Sequence, residues 1–100
     1  MRGRLLLLPF GFIPFTALLT MLLAELPDGA PATVREVHAH SPDLSASMLR
    51  RLGELGFLPG EPVMALRRGP GGREPLAVQI GDTMIALRLS EARCIDVTLG

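Results

Sequence analysis

Leu52-Gly53-Glu54-Leu55-Gly56-Phe57-Leu58-Pro59-Gly60-Glu61-Pro62-Val63 joins a helical pattern to a strand pattern within a dozen residues. Gly56 is placed to be the left-handed residue that ends a helix. Pro59-Gly60 forms a turn in which proline presets φ and glycine accepts φ > 0. Upstream, Leu44, Met48, Leu49, Leu52 and Leu55 recur at offsets 0, 4, 5, 8 and 11, one face of a 3.6-residue period. Arg50, Arg51 and Glu54 take the opposite face. Ser41 or Asp43 is available as the cap of this helix. Gly53 costs about 1 kcal/mol inside a helix, which points to a close backbone approach there.

Strand patterns lie on both sides. Residues 33–39, with Val34 and Val37, alternate as a strand that His38, His40, Ser41 and Pro42 break. Before it, Pro27 and Gly29 bracket a turn. After the Pro-Gly turn, Val63, Ala65, Arg67 and Arg68 continue as a second strand. Residues 69–75 hold three glycines and two prolines and read as a mobile loop. Leu76, Val78 and Ile80, then Gly81-Asp82, then Met84, Ala86 and Leu87 give a β-hairpin. Ser90-Glu91-Ala92 is a short helical turn, and Cys94, Ile95, Val97 and Leu99 form a last strand. Met48, Met64 and Met84 read as core. About five short strands with one helix inserted after the first predict a mainly β, small and strongly bent barrel.

The chain has 100 residues, enough for one domain with a modest core. Formal net charge is zero, with ten arginines, no lysine and ten acids. Such a balance lacks the clustered basic excess of a nucleic-acid binder. The absence of Trp and Tyr also removes base-stacking platforms. The single cysteine, Cys94, excludes an internal disulfide, which suits a reducing compartment.

The first residues stand apart. Leu5 to Leu23 is a run of 19 residues without charge, behind Arg2 and Arg4. Its length approaches that of a membrane helix, but Pro9, Gly11 and Pro14 interrupt it, and no signal-cleavage pattern follows. Three readings stay open: an upstream extension before a start at Met21, a membrane anchor, or a docked apolar arm. The expected division is residues 1–20 as an apolar extension and 21–100 as the domain.

The residues offer little catalytic chemistry. His38 and His40 share a strand face and make weak metal candidates with Asp43 or Cys94 completing the set, against the plainer reading of solvated loop histidines. Cys94 reads as a small buried hydrophobe. Glu54, Glu61 and Asp82 read as solvated charge. Gly69-Pro70-Gly71-Gly72 lacks the Lys-Ser/Thr ending of a phosphate loop. No enzyme is expected; the expected activity is partner binding.

Read together, the stretch from Leu52 to Val63, the opening Leu23-Ala24-Glu25-Leu26-Pro27-Asp28-Gly29, the segment from Gly72 to Val78, and the ending with Ala86-Leu87-Arg88, Glu91-Ala92 and Ile95/Val97 resemble the ferrous iron transport protein A family, FeoA. The resemblance covers about 80 residues, from Met21 to the C-terminus. It implies an SH3-like barrel with the helix inserted after the first strand. It also implies a cytoplasmic accessory protein of bacterial Fe(II) uptake, recruited to the inner face of the membrane by the GTP-dependent permease FeoB. Membrane association is then indirect unless residues 1–23 anchor the chain. The expected contact residues are Arg50, Arg51, Leu52, Glu54, Phe57 and Leu58, with Leu58 the best exposed apolar group. No cofactor is implied beyond, at most, a weakly held Fe2+ or other transition ion. The alternative is a metal-responsive regulatory module binding a transition metal directly, since similar SH3-like domains end metal-dependent bacterial repressors. This chain has no helix-turn-helix with which to bind DNA by itself.

Overall fold

The computed structural model describes residues 5–8, 11–14 and 20–100. The decisive stretch folds around two glycines. Helix α1, Ala46–Glu54, closes with Gly56 at φ +119°, whose N–H bonds the Gly53 carbonyl at 3.0 Å while the Phe57 N–H reaches back to Leu52 at 3.2 Å. These two bonds are a Schellman closure, and they turn Phe57 into the core beneath Leu52. At the other end the cap is Ser45, not Ser41 or Asp43: Ser45 Oγ accepts from the Met48 N–H at 3.3 Å. Ser41 instead accepts from the Asp43 N–H at 3.1 Å and shapes the preceding turn. Gly53 faces open space, so no close approach explains it.

One antiparallel sheet holds six strands: β3 (Thr20–Leu22), β4 (Pro31–Val37), β5 (Pro62–Gly69), β6 (Arg73–Ile80), β7 (Thr83–Leu87) and β8 (Ile95–Leu99). Their order is β3-β8-β4-β5-β6-β7. The expected barrel of about five strands gains β3, a short strand beside β8 whose three residues carry no alternating pattern. The strand expected over residues 33–39 runs Pro31–Val37, so residues 38 and 39 lie beyond it. Register shifts interrupt β4 against β8 at Val34/Glu36 and β5 against β6 at Ala65/Arg67. Bulges bend and twist strands. The one in β4 also resets the side-chain phase, so that Val34 and Val37 both turn inward past Arg35 and Glu36.

Residues 69–75, expected as a mobile loop, are mostly ordered strand. β5 ends at Gly69, Pro70–Gly72 form one 3-10 turn, and β6 begins at Arg73. The glycines do steric work here: Gly71 and Gly72 take positive φ, and a Cβ on Gly69 would overlap the Glu74 carbonyl. The β6–β7 hairpin turns through Gly81-Asp82 as expected, with Gly81 at φ +56°. The short helix α2, Leu89–Ala92, is held by carboxylates: Glu91 accepts from the Arg88 N–H and Glu74 from the Leu89 N–H, both at 2.7 Å.

A single core collects Val34, Leu52, Phe57, Val63, Leu76, Val78, Leu87, Ile95 and Val97. Inward residues from β4 to β8 meet in this one cluster, so the sheet wraps around it as a small barrel. Cys94 is buried there, 3% exposed. The methionines are not core: Met84 is 70% and Met48 36% exposed, and Met64 is half-buried. Arg68 is an internal clasp. Its guanidinium donates to Asp28 and to the carbonyls of Ala24 at 2.7 Å and Leu26 at 3.1 Å, fastening the entry segment to β5.

Within the first residues, β1 (Leu5–Leu8) and β2 (Gly11–Pro14) pair as a separate antiparallel sheet. The uncharged run is therefore not one continuous helix. Pro9, together with Arg2 and Arg4, lies outside the described residues. No helix among the described residues is long and apolar enough to cross a membrane.

Candidate partner-docking surface

The outer face of α1 and the turn that follows it form one ridge. Leu49 and Leu52 anchor the helix inward, 6% and 2% exposed, which leaves Met48, Arg50, Arg51 and Glu54 outward. The turn is fixed from both sides. The Glu61 N–H closes it onto the Leu58 carbonyl at 3.1 Å. The Val34 N–H bonds the Glu61 carbonyl, and the Gly60 N–H bonds the Val34 carbonyl, each at 2.8 Å. With Gly60 at φ +91°, this is the Pro-Gly turn read from the sequence. Leu58, 53% exposed, is thereby held in solvent by backbone bonds on both flanks. An apolar group held out this way loses little conformational freedom on meeting a partner.

Arg50, Arg51 and Glu54 make no ion pair or side-chain hydrogen bond among the described residues. Their charges are free to meet complementary groups, where rim charges mainly steer encounter and set register. A hollow of about 350 Å³ lies between the end of β4 and the start of α1, lined by Val37, His38, Ala39, Ala46, Leu49 and Arg50. Arg50 thus borders both the ridge and this hollow.

Two expected anchors are not on the surface. Leu52 is 2% and Phe57 1% exposed, so neither offers area to a partner. The Schellman closure is the physical reason, because it packs both against the core. Met48, read as core, stands outward instead. It follows Leu44 at helical spacing, yet it stands about 100° around the helix from Leu49, and only one of two such neighbours can sit at the centre of the stripe.

The weak metal candidates do not converge. His38 Nε2 pairs with Asp96 Oδ1 at 2.9 Å, with side chains 33% and 18% exposed. His40 and Asp43 are exposed. The Cys94 thiol is buried and donates to the Ser90 carbonyl at 3.4 Å. Among the described residues no group of three His, Cys, Asp or Glu side chains could hold a metal ion. Asp96 was invisible as a partner of His38 because it depends on the β4–β8 register, which brings residues 58 positions apart together.

The FeoA domain family model matches residues 21–99. A comparison with curated proteins finds no match. Among solved structures, FeoA from Stenotrophomonas maltophilia in complex with zinc is 45% identical with a TM-score of 0.68, covering 77% of this chain and 88% of its own. That protein is described as a procaryotic SH3 domain protein and a candidate bacterial ferrous iron transport activating factor. FeoA from Chlorobium tepidum is 34% identical with a TM-score of 0.66, covering 79% of this chain and 70% of its own. Iron(II) transport protein A from Clostridium thermocellum is 32% identical with a TM-score of 0.66, covering 79% and 45%. A manganese-dependent transcriptional repressor shares the fold at 22% identity.

Proposed function

From the premise that this chain belongs to the FeoA family of ferrous iron transport accessory proteins, we propose that it binds the cytosolic, GTP-binding part of a FeoB-type permease and modulates transport or nucleotide turnover there. It acts in the cytoplasm at the inner face of the membrane, by binding and without a reaction of its own. The contact surface is the ridge of Met48, Arg50, Arg51, Glu54 and Leu58. The observation behind this reading is Leu58, an exposed leucine locked in the turn that follows a helix face carrying two arginines with no ion pair among the described residues. Apolar area already fixed in place, carried on the same surface as arginines, a residue type enriched in binding hot spots, suits a docking role.

Titration of the permease's cytosolic part with the doubly substituted Leu58→Asp, Arg50→Glu protein tests it. Affinity is expected to fall at least about tenfold, or ~1.4 kcal/mol. Unchanged affinity in a variant that melts like the parent removes this surface from consideration.

Direct handling of a transition ion is the second reading, favoured by the zinc complex of the Stenotrophomonas maltophilia relative. Here it would draw on His38, His40 and Asp43, and His38 would have to leave Asp96. Calorimetric titration with Fe(II) or Zn(II) separates the two. A stoichiometric site lost in a His38→Ala, His40→Ala variant supports it, and absence of binding rejects it.

A further inference from the structure

The sheet ends at β7. β7 pairs with β6 on one side, and no described strand pairs with it on the other. The β1–β2 hairpin forms its own sheet and does not supply the missing neighbour. Edge strands usually carry a lysine, a proline or a bulge that blocks further pairing. The five residues Thr83-Met84-Ile85-Ala86-Leu87 hold no charge and no proline, and the β6–β7 register runs without a shift.

The hairpin fixes which backbone groups the edge offers. A two-residue turn at Gly81-Asp82 makes Ile80–Thr83 the closing hydrogen-bonded pair. Bonding then alternates, so Val78–Ile85 and Leu76–Leu87 are bonded pairs as well. Met84 and Ala86 turn their N–H and C=O groups away from β6. Both side chains are exposed on the outer face, Met84 at 70%.

We infer that this edge joins two copies of the chain, β7 to β7, antiparallel across a two-fold axis through Ile85. That register sets Met84 opposite Ala86 of the second copy, and Ala86 opposite its Met84. These are the residues whose backbone groups are free, so about four new ladder hydrogen bonds form. The flanking charges match. Asp82 falls opposite Arg88 of the second copy, and Arg88 opposite its Asp82. Neither side chain has an ion pair or hydrogen bond among the described residues. A contact that repeats itself under a two-fold rotation is the requirement for a closed dimer, and opposite charges facing across strands favour this register over slipped ones. The strand is short, so the dimer is weak and concentration-dependent.

Sedimentation of the full chain from about 10 µM to about 1 mM, a range suited to a small interface, tests the inference. The weight-average mass is expected to rise from 10.7 kDa toward twice that value. Hydrogen exchange at the Met84 and Ala86 amides is expected to slow with concentration, while the Ile85 amide, already bonded to β6, changes less. Ala86→Pro removes a pairing N–H that faces solvent in the monomer and is expected to hold the mass at 10.7 kDa. Asp82→Arg or Arg88→Asp alone should weaken association, and the two together should restore it. A constant monomer mass overturns the inference. So does a dimer indifferent to these substitutions, or charge changes that fail to rescue one another. The swap also keeps the test decisive if the proline variant does not fold.

Discussion

Phe57 and Leu58 are consecutive, and their fates are opposite. The first is sealed in the core and the second stands in solvent, because the Schellman closure and the Pro-Gly turn reverse the chain around them. Phe57→Ala is expected to cost about 3–5 kcal/mol, a large share of what a domain this size has; denaturant melts followed by circular dichroism measure it. Leu58→Asp is expected to change stability by about 0.5 kcal/mol or less, so a loss of partner affinity in that variant reports binding alone. Arg68 is expected to behave as a structural residue despite its charge. Arg68→Ala strips partners from Asp28 and from two backbone carbonyls and should cost about 1–3 kcal/mol, with faster amide exchange in residues 23–28. Its neighbour Arg67 is exposed and carries no such expectation. Nothing in the local pattern Arg67-Arg68 separates the two. The distinction depends on where residues 24–28 pass, which is tertiary information.

At the level of elements, two glycines make opposite predictions. Gly53 lies in α1 with open space around its α-carbon, so Gly53→Ala should stabilise the protein by about 0.5–1 kcal/mol through helix propensity. Gly69 has an extended backbone that any residue can adopt but no room, because the Glu74 carbonyl occupies the place of a Cβ. Gly69→Ala should therefore destabilise it by about 1–3 kcal/mol through forced backbone movement. Paired thermal melts of the two variants check the signs directly. The helix, its glycine stop, the hairpin at Gly81-Asp82 and the last strand were legible because each has a local signature. Strand β3 was not, since a three-residue strand has too few positions to show alternation. The strand residues of the glycine-rich segment 69–75 were not legible for a related reason: glycines and prolines signal a break, but they do not say how few residues the break needs.

Across the whole molecule, the resemblance carried by residues 52–63 and their flanks led to the right family and fold. A barrel is recognisable from the ordered set of its turns even where single elements are ambiguous. The outer face of α1 was legible only in outline. Periodicity separated Arg50, Arg51 and Glu54 from the apolar stripe, but it could not rank the stripe's members by depth. Leu52 was therefore open to both a core and a contact reading and Met48 was read as core, whereas Leu52 is buried and Met48 is exposed. Strand pairings between distant segments dominate the fold, and such topologies fold in about milliseconds to seconds. Stopped-flow circular dichroism is the suitable probe, because the chain has no Trp or Tyr to fluoresce.

The buried thiol of Cys94 turns this into an opening clock. It is the chain's one cysteine, it is 3% exposed, and it sits where α2 passes into β8. A thiol reagent reaches it only when that junction parts, so the labelling rate under native conditions counts openings without denaturant or isotope. The rate is expected to be slower than in the unfolded chain by about 10³ or more. Comparing it between the parent and Arg68→Ala then separates two kinds of loosening. An accelerated clock means that releasing the entry segment opens the barrel as a whole, and an unchanged one means that the segment frays by itself.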